Sequence, residues 1–307
     1  MKMKRTLCIV LAIVTALSCV LAFTACNKGG NDPSDSANPS ETGAAVSSTL
    51  GAKDLEKVKN AGKIVVGMEC AYAPYNWSQT EENEYTVKIR DNMYADGYDV
   101  QVAKMIAEAL GVTLEIKPME WNGLIPSVNS NDIDIVVAGM SPTAERKLSV
   151  DFSSTYFDSN LVIVCKKDSQ YASATKISDF SGAKITGQQG TFHYDVIDQI
   201  DGVKKQTALP DFAALTQALA SGAIDGYVCE KPGAESAVTA NSEFTFIEFA
   251  DGNGFTCDPA ESSIAVAMRK GSSLTDEINK VIATMTKEQK ESLMEACIAR
   301  QPVSEDA

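Results

Sequence analysis

Positive charge is scarce in this sequence. Only 27 lysines and arginines stand against 41 aspartates and glutamates, and the formal charge is −14 at pH 7. No basic patch remains beyond the first few residues, so the chain is not expected to bind nucleic acid. Histidine occurs once, and the cysteines show no spacing typical of metal ligands, so we predict neither a metal site nor a cofactor.

The cysteines give no evident disulfide framework either. Eight are present; Cys8 and Cys19 lie in an N-terminal apolar run, and Cys26 follows it. The other five are an odd set, and we expect most of them to be small buried side chains. One disulfide is compatible with the sequence, but its partners do not follow from it. The five are Cys70, Cys165, Cys229, Cys257 and Cys297.

One long apolar run stands at the N-terminus. It extends from Leu7 to Phe23 behind a basic start. This pattern is typical of an export signal, so we predict that residues 1–25 are removed. The end of the run, Phe-Thr-Ala-Cys, resembles the lipobox of bacterial lipoproteins, and we predict that Cys26 carries lipid; Cys19 is the alternative. Residues 26–53 are mostly small or polar, which favours a flexible tether.

From residue 54 onward, short apolar strands alternate with helices. This alternation predicts an α/β fold whose parallel sheets are covered by helices on both faces. Asp99 is expected to cap one helix, and a capping box from Thr286 to Gln289 opens the last one. The segment from Ser78 to Gly97 is polar and irregular, so we predict a long surface loop there. Strands are predicted near 64–66, 113–116, 133–137, 161–165, 184–185, 226–229 and 264–268.

The stretch from Gly123 to Arg146 is a candidate binding element. Its apolar strand ends abruptly at small residues, Gly139 among them, and Ser141 and Arg146 follow. Ligands of open α/β sheets bind beyond the carboxyl ends of the strands, and arginine matches a carboxylate with two parallel hydrogen bonds. The stretch therefore predicts an anion pocket. The alternative is that Arg146 is a surface cation on a helix.

Several motifs, taken in order, resemble one family over roughly residues 54 to 300. They read GKIVVGMECAYAPYNW, GYDVQVAKMIAEALGV, WNGLIPSVNSNDIDIVVAGMSPTAERKLSVDFS, GQQGTF and GAIDGYVCEKPGA. The chain resembles the bacterial extracellular solute-binding proteins for polar amino acids, which are the capture components of ABC importers. The resemblance implies a two-lobed, type II periplasmic-binding-protein-like fold. Each lobe is then a sheet flanked by helices: lobe 1 is 54–157 with 260–307, lobe 2 is 158–259, and two crossover strands lie near Phe157 and Pro259.

The same resemblance implies which residues hold the two α-groups of an amino acid. Arg146 matches the arginine that binds the α-carboxylate, and Ser141 with the backbone of Gly139 matches positions that contact both α-groups. The turn Gly190-Thr191 matches the one that completes the carboxylate site. Glu230 stands where the family usually has aspartate to bind the α-ammonium, so the charge is kept on a longer side chain.

The residues around the ligand's side chain follow in the same way. Tyr72 and Trp121 match two aromatic positions that enclose it, although Trp121 could also be plain core. Glu69 matches a position where aspartate receives a distal nitrogen; the alternative is that it points into solvent. We therefore expect arginine or lysine first, glutamine or another neutral polar amino acid second, and acidic amino acids last. His193 has no evident partner and is expected at the cleft edge or surface.

These features together predict a binding protein that breaks no bond. It would close its lobes on a polar, basic amino acid and deliver it to the permease subunits of an ABC importer. Lipid on Cys26 would hold it outside the cytoplasmic membrane, at the cell surface or in the periplasm. The alternatives are an amino-acid sensor lipoprotein without transport, and a dehydratase-like enzyme with Glu69 and Glu230 as candidate acid and base.

Overall fold

The computed structural model describes residues 51–259 and 261–302. The predicted signal segment, Cys26 and nearly all of the predicted tether lie outside the described residues. The helices are α1 (Asp54–Ala61), α2 (Tyr98–Leu110), α3 (Leu124–Asn129), α4 (Arg146–Ser149), α5 (Phe192–Asp195), α6 (Phe212–Ala220), α7 (Lys231–Ala240), α8 (Thr275–Ala283) and α9 (Lys287–Arg300). Short 3₁₀ helices cover Trp121–Gly123, Ile177–Phe180 and Val196–Gln199. None of these helices has the length and apolarity needed to span a membrane.

The strands form two five-stranded sheets and one smaller sheet. They are β1 (Lys63–Met68), β2 (Ala71–Tyr72), β3 (Asn76–Gln79), β4 (Val87–Arg90), β5 (Met93–Asp96), β6 (Thr113–Pro118), β7 (Ile135–Val136), β8 (Val150–Asp158), β9 (Leu161–Lys166), β10 (Lys184–Thr186), β11 (Lys204–Lys205), β12 (Gly226–Glu230), β13 (Phe244–Ile247) and β14 (Ser263–Arg269). The first large sheet has the order β6-β1-β7-β14-β8, and the second has the order β11-β10-β12-β9-β13.

The first sheet is covered on both faces. Successive residues of a strand point to opposite faces, and β7 follows this rule. Ile135 belongs to a core cluster with residues of α1, α2 and α8, whereas Val136 belongs to another with residues of α3.

The capping box predicted at the start of α9 is confirmed, because the backbone N–H of Gln289 donates to Thr286 Oγ1 and that of Thr286 donates to Gln289 Oε1.

The second sheet is covered in the same manner. Val228 of β12 packs in a cluster with residues of α5, whereas its neighbours Tyr227 and Cys229 pack with residues of α6 and α7. The predicted architecture of sheets flanked by helices is therefore confirmed.

The five cysteines beyond Cys26 are free thiols, and four of them are buried as expected.

The prediction of wholly parallel sheets is wrong. In the first sheet β1 runs parallel to β6 and β7, but β14 is antiparallel to both β7 and β8. In the second sheet β9 is antiparallel to β12 and β13. An apolar run indicates that both faces of a strand are buried, but it does not encode the direction of the strand. Mixed sheets arise here because the chain passes from one sheet to the other and returns.

The two passages between the sheets lie side by side. The chain leaves the first sheet at the end of β8 and enters the second at β9, and it returns between β13 and β14. β8 and β14 pair antiparallel, with Asp158 opposite Ser263 and Phe157 opposite Ile264. The pairing register shifts on either side of Ala265.

The predicted surface loop from Ser78 to Gly97 is wrong. β3, β5 and β4 form an antiparallel sheet with β2, and Asn92 turns the chain between β4 and β5 with φ +53°. Asparagine tolerates this backbone conformation well. The missed signal was the Asp-Asn pair between two short runs, the first of which alternates between half-buried and exposed residues. The polar composition concealed it because these strands are only half-buried.

Candidate functional site

The predicted site residues meet where strands of the two large sheets end. A small cavity of about 10 Å³ lies there. It is lined by six of them, Tyr72, Trp121, Gly139, Ser141, Arg146 and Thr191, and by Gln188, Phe192 and His193. The other three, Glu69, Gly190 and Glu230, each contact a lining residue. A cavity of about 520 Å³ adjoins on the side of Arg146 and Trp121 and forms the mouth of the cleft.

Arg146 joins the two sides of the cleft. It begins α4, beyond the end of β7, and its Nη1 donates to the carbonyl of Ser141 at 2.9 Å. Its Nη2 donates to the carbonyl of Gly190, which follows β10, at 3.1 Å. Burial lowers the pKa of Arg146 to about 10, an effect that the charge of Glu230 opposes. The guanidinium therefore keeps its charge at neutral pH while lying half-buried in the cleft.

Two glycines allow the backbone to approach the cleft. Gly139 has φ +60° and Gly190 has φ +71°, a region that side chains other than glycine rarely adopt. A Cβ on Gly190 would lie 2.7 Å from Asn122 Oδ1, and one on Gly139 would lie 3.2 Å from the ring of Tyr72. Both positions therefore need glycine for conformation, and Gly139 is also tightly packed against the ring of Tyr72.

Glu230, at the end of β12, is fully buried and shared by two partners. The hydroxyl of Tyr72 donates to its Oε2, and Nε2 of His193 lies 2.9 Å from its Oε1. Apart from this contact, Oε1 and both ring nitrogens of His193 have no hydrogen-bond partner among the described residues. Burial by itself would raise the pKa of Glu230, but His193 and the hydroxyl of Tyr72 lower it below its ordinary value.

The expectation that His193 lies at the cleft edge or surface without a partner is wrong. Its side chain is 5 % exposed and faces Glu230. The centroid of its ring lies 4.5 Å from the ring centroid of Phe192 and 6.3 Å from that of Phe212. The sequence does not reveal this pairing, because His193 and Glu230 are brought together only by the adjacency of β10 and β12 in the sheet.

Glu69 follows β1 and turns away from solvent. Nε2 of Gln188 donates to its Oε1 at 2.7 Å, and its Oε2 is buried without a hydrogen-bond partner. Burial raises the pKa of Glu69 to about 8, and the hydrogen bond from Gln188 opposes this rise. Such a carboxyl is held mostly protonated at pH 7, and a cation placed beside Oε2 would favour its ionised form.

The two predicted aromatic residues have one face each against the protein. Tyr72 stacks on Phe212 with 3.9 Å between ring centroids. Trp121 lies 5.0 Å from the guanidinium carbon of Arg146 and donates its indole N–H to the carbonyl of Gly190 at 3.1 Å. Trp121 also belongs to a core cluster with Leu124. It therefore serves both as core and as cleft lining.

Among the residues that the structure describes, four hydrogen bonds join the two sides of the cleft beside the small cavity, and two more join Ser236 to Gln301 away from it. The four join Tyr72 to Glu230, Gln188 to Glu69, and both Trp121 and Arg146 to the carbonyl of Gly190. A cavity of about 10 Å³ holds roughly one water molecule. An amino acid is many times larger, so the two sheets must separate before one can bind between them.

A buried hydrogen-bond network beneath the cleft was not predicted from the sequence. Asp99 does not cap α2, which follows Gly97. It instead accepts hydrogen bonds from Tyr156 Oη at 2.6 Å and Asn76 Nδ2 at 2.7 Å. The hydroxyl of Tyr156 in turn accepts from the backbone N–H of Gly139 at 3.3 Å, and burial raises the pKa of Asp99 to about 6 against these bonds. A carboxylate on the apolar stripe of α2 was the available signal.

Comparison with known proteins gives one consistent result. The family model for bacterial extracellular solute-binding proteins, family 3, matches residues 64–295. The arginine-binding extracellular protein ArtP of Bacillus subtilis (strain 168) is 30% identical over 226 residues, which cover 73% of this chain and 80% of ArtP. The L-cystine-binding protein TcyJ of Escherichia coli (strain K12) is 29% identical over 236 residues, which cover 76% of this chain and 81% of TcyJ.

A solved structure agrees with these relatives. It is an amino acid ABC transporter substrate-binding protein from Streptococcus pneumoniae bound to L-arginine, and it superimposes with a TM-score of 0.70. The sequences are 26% identical, and the match covers 80% of this chain and 98% of the other. The type II fold predicted from the sequence is therefore confirmed.

Proposed function

Because this chain belongs to family 3 of the bacterial extracellular solute-binding proteins, we propose that it captures a basic amino acid, arginine or lysine, for an ABC importer. Glutamine or another neutral polar amino acid ranks second. Membership of the family implies that the protein acts outside the cytoplasm. The relatives named above bind different amino acids, arginine and cystine, so the choice of a basic one rests on the residues of this cleft.

The observation that carries the proposal is a pair of buried carboxylate oxygens. Glu69 Oε2 is buried without a hydrogen-bond partner in the part of the chain that the structure describes, and Glu230 Oε1 is buried with only Nε2 of His193 facing it, at 2.9 Å. A buried acceptor that lacks a partner costs free energy, and a cation that supplies donors removes the cost. Arginine and lysine each carry two cationic groups and one carboxylate. Arg146 complements the carboxylate, so the charges of the cleft and of the ligand match one to one.

The α-carboxylate of the ligand then lies against Arg146 and the backbone near Thr191 and Gly139. Arg146 pairs with the α-carboxylate once its contacts with the carbonyls of Ser141 and Gly190 open. Thr191, which is buried and begins the turn into α5, offers a backbone N–H on the opposite side. The backbone N–H of Gly139 already donates to the hydroxyl of Tyr156, so Gly139 serves here by letting the backbone approach the ligand closely. These donors together surround one anion.

The other two charges of the ligand separate along the cleft. The α-ammonium binds Glu230, and the distal ammonium or guanidinium binds Glu69. The ring faces of Tyr72 and Trp121 that become free when the cleft opens stabilise a cation further. A glutamate side chain would face Glu69 with like charge, which explains why acidic amino acids rank last.

Capture follows from the exchange of contacts across the cleft. We assign the two moving bodies to 54–157 with 260–307 and to 158–259. In the open state the four hydrogen bonds beside the small cavity are broken, and the ligand replaces them when the cleft closes. Binding is then a shift of population between open and closed states. The permease distinguishes the closed, loaded state by its shape.

A ligand panel tests the proposal. The soluble body should be stabilised against thermal unfolding by arginine and lysine more than by glutamine, and not by glutamate, since bound ligand stabilises the folded state in proportion to its affinity. In the Glu69→Gln variant, arginine should bind roughly 10- to 150-fold more weakly, because a charge-assisted hydrogen bond is worth about 1.5–3 kcal/mol. Glutamine should bind about as before.

The exposed Glu120 provides the matched control for this panel. It lies close enough to influence the charge of Glu69 but is solvent-accessible, so Glu120→Gln should leave the ranking of ligands unchanged. Stabilisation by glutamate or aliphatic amino acids, with none by arginine, lysine or glutamine, would contradict the role of Glu69. It would leave the assignment of Arg146 and Glu230 intact.

The lipid anchor is a separate proposal with its own test. We assign lipidation to Cys26, on the strength of the basic start, the apolar run and the small residues before it. The Cys26→Ser variant should leave the membrane fraction and collect in the soluble fraction, whereas Cys19→Ser should remain with the membrane. The reverse distribution, measured by fractionation and immunoblotting, would assign the lipid to Cys19.

Two alternatives share the cleft. A sensor without transport would bind the same ligand, and neighbouring genes for a permease and an ATPase distinguish the two. A dehydratase-like enzyme is favoured by one observation: Glu69, with its pKa raised to about 8, is a carboxylic acid that could donate a proton at neutral pH. Turnover of a prephenate-like compound by the purified protein, lost in Glu69→Gln, would support the enzyme over the binding protein.

A further inference from the structure

The contact between His193 and Glu230 involves the oxygen that the ligand needs. Nε2 of His193 lies 2.9 Å from Glu230 Oε1, and Oε2 of the same carboxylate already accepts from Tyr72. The imidazole is buried, and beyond this contact its ring nitrogens have no hydrogen-bond partner within residues 51–259 and 261–302. A carboxylate oxygen therefore faces an unsatisfied titratable group where the α-ammonium would bind.

The occupancy of Glu230 Oε1 depends on the protonation of the imidazole. A protonated His193 neutralises Glu230 and adds a positive charge in a desolvated site, so an incoming ammonium meets repulsion and no free carboxylate. A neutral His193 leaves the charge of Glu230 for the ligand. One buried carboxylate pairs well with one cation, and two cations compete for it.

We propose that His193 is a specificity-determining residue that competes, when protonated, with the ligand's α-ammonium for Glu230 Oε1. Capture of an amino acid then releases a proton from His193. The inference rests on the proposed function, since it takes the α-ammonium to bind Glu230. It goes beyond that function because it makes recognition of the α-amine depend on pH.

The sign of the effect follows from proton linkage. The ligand-bound form holds fewer protons than the free form, so low pH favours the free form and weakens binding. Histidine is the side chain that ordinarily changes charge between pH 5 and 8. Affinity for an amino acid with a free α-amine should fall as the pH is lowered from about 7 to about 5, by at most about tenfold per pH unit.

Other ionisable groups around Glu230 keep one charge state over this range. Burial raises the pKa values of the two phenols and the thiol nearest to Glu230, and the guanidinium stays charged with a pKa of about 10. The side chain of Asp195, on the same short helix as His193, is exposed. The groups that keep one charge state are Tyr72, Tyr75 and Cys229, which stay neutral, and Arg146, which stays positive.

Two carboxyls near the cleft do titrate in the same range. The pKa of Asp99 is raised to about 6 and that of Glu69 to about 8, in both cases by burial. When a guanidinium binds beside Glu69, the carboxyl of Glu69 also releases its proton. Arginine binding therefore depends on pH even without His193. The experiment must therefore compare proteins, or ligands, that share Asp99 and Glu69 and differ only at the α-amine subsite.

The first test compares His193→Gln with the wild type. The Kd for L-arginine is measured by calorimetry from pH 5 to pH 8 in both proteins. The wild type should lose affinity toward low pH more steeply, with the difference in slope approaching tenfold per pH unit at the acid end. Tyr72→Phe is the matched control: it removes the other contact of Glu230 but no group that titrates here, so it should keep the steep slope.

The second test needs no variant and decides the matter if His193→Gln does not fold. Proton release is measured in the wild type at pH 6, in buffers of different ionisation enthalpy, for L-arginine and for Nα-acetyl-L-arginine. Both ligands carry the guanidinium that acts on Glu69, but only arginine has the ammonium that displaces His193. Arginine should release up to one additional proton.

The outcomes separate the inference from the proposed function. Parallel pH profiles for the wild type and His193→Gln, or equal proton release by the two ligands, would overturn the inference, and tight arginine binding at pH 8 would still support the proposed function. Failure of every amino acid to bind the wild type at any pH would refute both.

Discussion

Replacement of Arg146 by alanine should weaken the binding of arginine by roughly 30-fold or more. The guanidinium lies half-buried in the cleft, and its hydrogen bonds within the described part of the chain go to the carbonyls of Ser141 and Gly190. Its removal would leave the ligand's α-carboxylate buried without a charge-assisted partner, which costs about 2–5 kcal/mol. Calorimetry with L-arginine at pH 7 measures the loss directly.

Two controls isolate the carboxylate from other effects of this substitution. Lys147 is the next cation along the chain and is exposed, so Lys147→Ala should bind as the wild type does. L-Argininamide lacks the carboxylate; it should bind weakly to the wild type and lose little further affinity in Arg146→Ala. An Arg146→Ala protein with the affinity of the wild type for arginine would show that the carboxylate lies elsewhere.

Replacement of Glu230 by glutamine should have an effect of similar size, confined to ligands with a free α-amine. Glu230 is fully buried, and its pKa lies below the ordinary value because of His193 and Tyr72, so it is ionised at neutral pH. Loss of its charge removes the buried partner of the α-ammonium, again about 2–5 kcal/mol. Titration with arginine and with Nα-acetyl-L-arginine checks this: only arginine should bind much more weakly.

Glu243 is suited as the control for this second substitution. It is an exposed carboxylate between α7 and β13, and Glu243→Gln removes the same charge from the same part of the molecule without touching the cleft. Affinity for arginine should not change. If Glu230→Gln bound both ligands as tightly as the wild type, the α-ammonium would have another partner and the charge match described above would be wrong.

Local sequence signals predicted the elements of the fold well but not their directions. The strand that ends before Gly139 and the capping box at Thr286 follow from residue types within a few positions of each other. The antiparallel course of β9 and β14 does not, since direction depends on how the chain passes between sheets. The small sheet around Asn92 was missed because half-buried strands carry polar residues, and their composition resembles that of a loop.

The candidate site was predictable where it depends on motifs and unpredictable where it depends on contacts across the cleft. Arg146, Gly190 and Glu230 were placed by resemblance, and the structure brings them together. The pairing of His193 with Glu230 depends on the adjacency of β10 and β12 within one sheet, and that of Gln188 with Glu69 depends on the packing of the two sides of the cleft. No local pattern encodes such distances, which is why a buried histidine was expected at the surface.

The paired passages of β8 and β14 have a consequence for how affinity and selectivity are inherited. Because both passages run side by side, the two bodies of the proposed closure would turn about one line, and a slight twist there would become a large displacement at the mouth of the cleft. The free energy needed to turn the two bodies into the closed arrangement would be the same whichever amino acid is bound. A substitution where the register shifts, beside Ala265, multiplies every affinity by one common factor and leaves the ratios between ligands unchanged. Under the proposed function, the strength of capture would then be adjustable in these strands separately from the choice of amino acid, which that proposal assigns to Glu69.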